Sequence, residues 1–369
     1  VTYVELTLKK GPQDLETRIL KPDLCCACGG CLGLCPYFQV MQENVALIEP
    51  CGLSEGRCYE VCPRTVVDLE ALNQSVFGQG RDDYSLGTHR AVLMSQAQDH
   101  EVRSRGQYGG TVTGILLHAL ASGLIDGAIM AGKSTRYSLM PEPVLARTTE
   151  EVLAATGSKY TACPTLKILD RSLRECRRLA VVGRPCQVTA LRKRMRIEPE
   201  LQDQVVLIVG LFCMWALNYK KLARHLKGQL DLDRARKVDI PYNRFVVTME
   251  PGEARELPFE PIRQLRNPTC DLCFDFTSEF ADLSVGSTEW KEDWNTLIVR
   301  TDRGEKMVAS AKSAGRLVVE AMPPERIQLL RQASRGKKQR VLAAISDSSC
   351  KVSDYLVIAE AEKKAVMAP

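Results

Sequence analysis

The chain is poor in histidine. Only His89, His100, His118 and His225 occur in 369 residues, and no two stand at ligand spacing, so a histidine-rich metal site is not expected. A large excess of one charge is also missing. Fifty Lys+Arg against 45 Asp+Glu leave +5, too mild to argue for nucleic-acid binding. Membrane-length apolar runs are lacking as well. Val205–Leu217 is too short to cross a bilayer. Residues 109–132 are long enough but contain His118, Asp126 and several Gly, and read as a helix over 112–122, stopped by Gly123, then a strand over 128–131. No membrane span is expected. The first residues are mixed and charged with no apolar h-region, and with an odd cysteine count this predicts a reducing, cytoplasmic setting. There is no GxGxxG fingerprint, no internal repeat and no low-complexity tract.

What the chain does have is cysteine, fifteen in all. Thiolates are soft ligands, so zinc and iron–sulfur clusters are the candidate occupants. Hydrophobic residues at 45% and charged residues at 26% are ordinary for a globular protein, and the length suggests two or three domains. Eight cysteines fall within residues 21–63, where periodicity is weak, as expected of a small domain wrapped on inorganic cores. The spacing divides the chain into an iron–sulfur domain (1–80), a linker (81–90), an α/β core (91–345) and a C-terminal tail (346–369). From Ala91 strands alternate with helices, which predicts an open, largely parallel sheet with irregular insertions around 236–249.

Cys25, Cys28, Cys31 and Cys35-Pro36 form C-x2-C-x2-C-x3-C-P. Three thiolates at this spacing fit one cubane, and the fourth is carried off to another. By the same logic Cys62, ahead of Pro63, completes the first cluster, and Cys35, Cys51 and Cys58 form a second site one thiolate short. That site is compatible with a three-iron [3Fe-4S] cluster, a cubane with a non-cysteine ligand near Ser54 or Glu55, or no cluster. Cys26 is spare and reads as packing. Structural zinc is the competing reading, but a zinc knuckle does not need this run.

Cys186 follows the strand at 179–182, Cys213 follows the strand from 205, and Cys270 and Cys273 form a C-x2-C loop. Carboxyl ends of strands are where sites assemble in α/β sheets, and four thiolates suffice for a further [4Fe-4S] cluster. Buried apolar cysteine is the alternative, and it fits Cys163, Cys176 and Cys350 better. Gly-rich turns at Gly109, Gly110, Thr111 and Thr113, at Ser158, Lys159 and Tyr160, and at Gly183 with Gln187 open helices and could hold a phosphate or serve only as tight turns. Nine Lys/Arg against two acids in 170–196 either steer an anion or form a solvated face, and the basic run 331–340 either contacts an acidic partner or is a solvated helix end. Trp290 and Trp294 read as core packing.

The ordered set YGGTVTGILLHALASGLIDGAIM, GSKYT, GRPCQVTALRK, GLFC, CDLCFDFTSEFADLSVGS and WNTLIVRT resembles the coenzyme F420 hydrogenase/dehydrogenase beta-subunit family, here with a fused N-terminal ferredoxin-like α+β module. The resemblance implies a core that binds FAD and one [4Fe-4S] cluster. It assigns the cluster to Cys186, Cys213, Cys270 and Cys273 and the flavin pocket to Gly109–Thr113 and Ser158–Tyr160. It further implies an oxidoreductase subunit that exchanges a hydride with coenzyme F420, NAD(P)H or a similar carrier and passes single electrons to a hydrogenase- or dehydrogenase-type partner or other iron–sulfur subunits. A stand-alone iron–sulfur flavin reductase, acting on an organic substrate or using NAD(P)H or ferredoxin, is the alternative. A flavin is the expected converter between two-electron hydride chemistry and one-electron clusters.

Overall fold

The computed structural model describes residues 10–41, 43–241, 244–347, 350 and 352–368. In chain order its strands are β1 (Phe38–Met41), β2 (Asn44–Leu47), β3 (Val67–Asp68), β4 (Ala91–Ala97), β5 (Gly127–Lys133), β6 (Pro141–Ala146), β7 (Leu179–Gly183), β8 (Val205–Leu211), β9 (Ala235–Asp239), β10 (Phe245–Met249), β11 (Ala254–Leu257), β12 (Leu283–Ser287), β13 (Asn295–Val299), β14 (Leu317–Ala321) and β15 (Leu356–Val357). Eight of them form one sheet in the order β14-β4-β13-β12-β8-β7-β5-β6. The central strands β12, β8, β7 and β5 pair in parallel, and β4 points the same way. The core is therefore α/β, with a mostly parallel sheet closed by antiparallel strands at both edges.

Alternation along the buried strands sorts side chains into two layers. Val181 and Ile208 face a layer that contains Val188 and Leu191 of helix Pro185–Ile197. Ala180, Val182, Leu207 and Val209 face the other, with Ile115 and Leu116 of helix Thr111–Ala121 and Ala311 of helix Asp302–Ser313. The first layer also takes in Leu15, Ile19, Phe38, Tyr59 and Leu72, so the cysteine-rich segment shares its core with the sheet. Each such side chain contributes about 1.5–3 kcal/mol by leaving water. The insertion between β8 and β12 has its own sheet, β11-β10-β9, packed on helix Tyr219–Leu226 around Leu222, Phe245 and Ile262.

Two segments differ from their sequence reading. Residues 81–90 are not a solvated linker. Arg81 is buried against Glu279 (2.7 Å) and Glu362 (2.8 Å), and Leu86 is fully buried. The stretch from 346 is not a loose tail either. β15 pairs in parallel with β3, and helix Glu360–Met367 supplies Glu362 to Arg81. In both cases the partners are far away in sequence, so local composition carried no sign of them. Among the described residues no helix is long and apolar enough to cross a membrane.

Candidate functional site

All fifteen cysteines are free thiols. The loop carrying Cys25, Cys28 and Cys31 lies against the sheet's first layer. The Cys28 carbonyl accepts from Leu166 N–H (3.2 Å), and Gly29, at φ +90°, leaves no room for a Cβ beside Lys167 and Pro164. Cys62 joins this loop. Its carbonyl is held by Lys193 Nζ (2.6 Å), which also bonds Val66 O (2.7 Å). Burial pushes the Cys25 thiol up to about 12, and the neighbouring Cys62 and Cys186 add to the rise. Cys31 is raised by burial, then by Cys25, Cys62 and Cys58. Cys58 is pushed to about 11 by burial, with Cys35 and Cys51 beside it. The chain thus brings together Cys25, Cys28, Cys31 and Cys62, and next to them Cys35, Cys51 and Cys58.

The remaining set assembles at the carboxyl ends of the central strands. Cys186 sits in the first turn of helix Pro185–Ile197, after β7, beside Arg184. Cys213 follows β8, Cys270 lies within the 3₁₀ turn Pro268–Leu272, and Cys273 caps the end of that turn. All four line one small cavity with Arg64, Arg184 and Lys337. Arg64 is fixed by Thr269 (Nε to Oγ1, 2.7 Å), and Lys337 Nζ donates to the carbonyls of Cys213 (2.6 Å) and Asp275 (2.8 Å). Burial raises the Cys273 thiol, but the Lys337 and Arg64 cations more than offset this, and it lies below its ordinary value. Backbone N–H groups point at sulfur in both regions: Ala27 to Cys25 (3.4 Å), Gly30 to Cys28 (3.5 Å) and Ala216 to Cys270 (3.3 Å).

These donor sets fit iron–sulfur clusters. They are thiol-only, buried or half-buried, cation-flanked and supplied with N–H donors, features that hold and tune such clusters. Among the described residues no three His, Cys, Asp or Glu donors converge on a single-ion position. A cubane binds each thiolate at a different iron and does not require such convergence.

A cleft of about 180 Å³ opens between the end of β5, the turn Thr156–Thr161 and β9. Arg105, Lys133, Lys159, Arg236 and Lys237 line it, and Arg105, Arg236 and Lys237 are paired with Glu101, Glu250 and Asp239 just outside the lining. This lining fits an anionic, phosphate-bearing ligand. Lys159 Nζ caps helix Thr149–Ala155 through the carbonyls of Ala155 (2.6 Å) and Gly157 (2.8 Å), and burial lowers its pKa to about 8.

Of the residues expected around the flavin, Ser158, Lys159 and Tyr160 line this cleft. Gly109, Gly110, Thr111 and Thr113 stand behind its wall. Gln107 Nε2 bonds Tyr160 Oη (2.5 Å), and the hydroxyls of Thr113 and Thr156 are paired (3.2 Å). A Cβ on Gly109 would meet Ser95 O at 2.7 Å, and Thr111 N–H is already donated to Asn295 Oδ1 (3.1 Å). Gly183 and Gln187 do not line the cleft. Gln187 is 2% exposed and bonds Cys163 O (2.7 Å) and Arg184 N–H (2.8 Å), so it shapes the wall beside Cys186.

The basic run 170–196 is largely consumed internally. Arg194 pairs with Asp170 and Glu198, Arg192 with Asp282 and Arg171 with Glu175. In the C-terminal run, Lys337 and Lys338 are buried, at 2% and 0% exposure, and are not a solvated helix end. Trp294 packs with Met94 and Met322, and Lys291 lies over its ring at 4.1 Å.

Residues 92–170 match the family model for the N-terminal part of the coenzyme F420 hydrogenase/dehydrogenase beta subunit, and residues 176–325 match the companion model for its C-terminal part. The chain is 32% identical over 266 residues to the beta subunit of coenzyme F420 hydrogenase from Methanothermobacter thermautotrophicus, covering 69% of this chain and 93% of that protein. It is 30% identical over 296 residues to one of the subunits of the F(420)H(2) dehydrogenase from Methanosarcina mazei, covering 78% and 82%. A chain of the F420-reducing [NiFe] hydrogenase complex from Methanosarcina barkeri, solved with xenon derivatization, superposes with a TM-score of 0.67 at 28% identity, covering 73% of this chain and 94% of that one.

Proposed function

The chain belongs to the coenzyme F420 hydrogenase/dehydrogenase beta-subunit family, and from that premise we propose that it is an iron–sulfur flavoprotein subunit for electron transfer. It exchanges a hydride with coenzyme F420 and passes single electrons to a hydrogenase- or dehydrogenase-type partner in the cytoplasm. The cleft at Ser158–Tyr160 holds FAD, with Lys133, Arg236 and Lys237 supplying positive charge to its pyrophosphate. Cys186, Cys213, Cys270 and Cys273 hold one [4Fe-4S] cluster, and Cys25, Cys28, Cys31 and Cys62 hold another in a ferredoxin-like module. Cys35, Cys51 and Cys58 offer a third, three-thiolate site suited to [3Fe-4S]. When bound, flavin accepts two electrons together and releases them singly.

One observation carries this reading. The cleft wall and the thiols are joined by two hydrogen bonds through one short segment. Tyr160 O accepts from Leu217 N–H (2.7 Å), and the adjacent Ala216 N–H donates to Cys270 Sγ (3.3 Å). These bonds support the reading, because they would hold the proposed flavin cleft at a fixed spacing from the proposed cluster site. The test is an anaerobic absorbance titration of the purified chain with reduced coenzyme F420 and, separately, NADH. Reduced F420 is expected to bleach flavin and iron–sulfur absorbance together, and NADH to leave both unchanged. Bleaching by neither carrier, in a sample that dithionite does bleach, contradicts the proposal. Turnover of an organic substrate by the isolated chain favours the stand-alone reductase instead.

A further inference from the structure

Successive N–H groups from Ala216 to Lys220 bond four different parts of the chain. Ala216 donates to Cys270 Sγ (3.3 Å), Leu217 to Tyr160 O (2.7 Å) and Asn218 to Leu265 O (2.9 Å). Tyr219 and Lys220 both donate to the carboxylate of Glu43, at 2.5 Å to Oε2 and 3.0 Å to Oε1. Glu43 stands 176 residues before Tyr219, in the turn between β1 and β2, and is 4% exposed. That hairpin links Cys35 to Cys51, two thiols of the three-thiolate site, and Phe38 and Val45 anchor it in the layer that holds the cysteines. The first N–H groups of a helix have no partner within it. Asn218, the residue before helix Tyr219–Leu226, caps Lys221 N–H in the ordinary way (3.0 Å). The two N–H groups ahead of it are taken by a buried acid from the cysteine-rich segment, whose charge also meets the positive end of the helix dipole. This helix forms part of the cleft. Leu222 lines it, and the Tyr219 ring lies 6.3 Å from that of Tyr137, another lining residue. Leu222 also packs with Ala235 and Val238 of β9, which line it too.

We propose that Glu43 is a positioning residue for the flavin. It holds the wall made by helix Tyr219–Leu226 and β9 in the arrangement that binds FAD, and so ties flavin affinity to the hairpin between Cys35 and Cys51. This rests on the proposal that the cleft holds FAD. Glu43 does not itself line the cleft and acts through the backbone of the helix. Without its two bonds the start of the helix can part from the hairpin. The wall then spends less time in the binding arrangement, and the apparent affinity falls in proportion.

The test compares wild type, Glu43→Ala, Glu43→Gln and, as a control, Arg18→Ala. Arg18 holds the same cysteine-rich segment to Tyr59 (2.9 Å) and Asp354 instead. Full-length protein is purified anaerobically and stripped of flavin, its iron and sulfide are assayed, and it is titrated with FAD by flavin fluorescence. Iron and sulfide are expected to match wild type in all three variants. The FAD Kd is expected to rise about tenfold in Glu43→Ala, about threefold in Glu43→Gln, which keeps one acceptor but no charge, and not at all in Arg18→Ala. Glu43→Gln keeps the size of the side chain, so it decides the matter should Glu43→Ala fail to fold. An FAD Kd equal to wild type in the Glu43 variants overturns the inference, whatever happens to their Tm. An equal rise in Arg18→Ala overturns it as well, because the effect is then a general loosening of the segment. A wild-type chain that binds no FAD contradicts the function proposed above and removes this inference with it, a distinct result.

Discussion

Replacing Cys213 with serine is expected to remove about four irons per chain and to cut electron flow from reduced coenzyme F420 to the partner by roughly 100-fold or more. The site explains why the loss is selective. Cys213 is held by backbone bonds that serine keeps, its N–H donating to Phe276 O (2.9 Å) and its carbonyl accepting from Lys337 (2.6 Å). β8 and the N-terminal cysteines therefore stay in place. The cavity it leaves retains Arg64, Arg184 and Lys337, whose positive charge then lacks the cluster that balances it. Iron and sulfide assay with steady-state electron transfer measures both effects. Full iron content and unimpaired flow would remove Cys213 from the site.

The largest stability effect is expected at Glu279. Its carboxylate receives Lys338 (2.6 Å) and Arg81 (2.7 Å), and all three side chains are at most 2% exposed. Burial alone would raise this carboxyl, but Lys338 and Arg81 outweigh it and hold it near about 2. Asp275, Arg300 and Glu362 complete the buried charge around it. Glu279→Ala takes from buried Lys338 its ion pair at 2.6 Å and leaves Arg81 with Glu362 alone, a loss of about 3–5 kcal/mol. That corresponds to a Tm lower by roughly 10 °C, since 1 kcal/mol is worth a few degrees in large domains. The pH dependence follows from the depressed carboxyl. Its stabilisation is complete above the unfolded value of about 4.3 and is lost as pH falls from there toward about 2. Thermal unfolding of wild type and variant at neutral pH and near pH 3 tests this. The two should differ at neutral pH and draw together in acid, and equal Tm values at neutral pH would contradict it.

The run C-x2-C-x2-C-x3-C-P was legible because its partners are near in sequence and its spacing is a constraint in itself. Cys186 and Cys213 were legible because each follows an apolar strand. The C-x2-C pair then had two strand ends to meet. That Cys26 lines the cavity of Cys186, Cys213, Cys270 and Cys273 was not legible, since its place beside Cys25 gives no sign of it. Lys337 and Lys338 read as a solvated helix end because the groups that bury them, Cys213, Asp275 and Glu279, are some 60 to 124 residues away. The cleft cations Arg105, Lys133 and Lys237 come from three separate segments and have no common pattern. β6 was missed because Pro141 and Pro143 argue against a strand. It lies at the sheet edge, where proline is tolerated.

The central claim is that one chain gathers iron–sulfur clusters and a flavin within reach of each other. Its most direct test is the iron, acid-labile sulfide and flavin content of anaerobically purified protein. The account predicts about eight irons per chain, or more if the three-cysteine site is filled, with matching sulfide and about one FAD. A colourless protein containing zinc, with neither sulfide nor flavin, would contradict it.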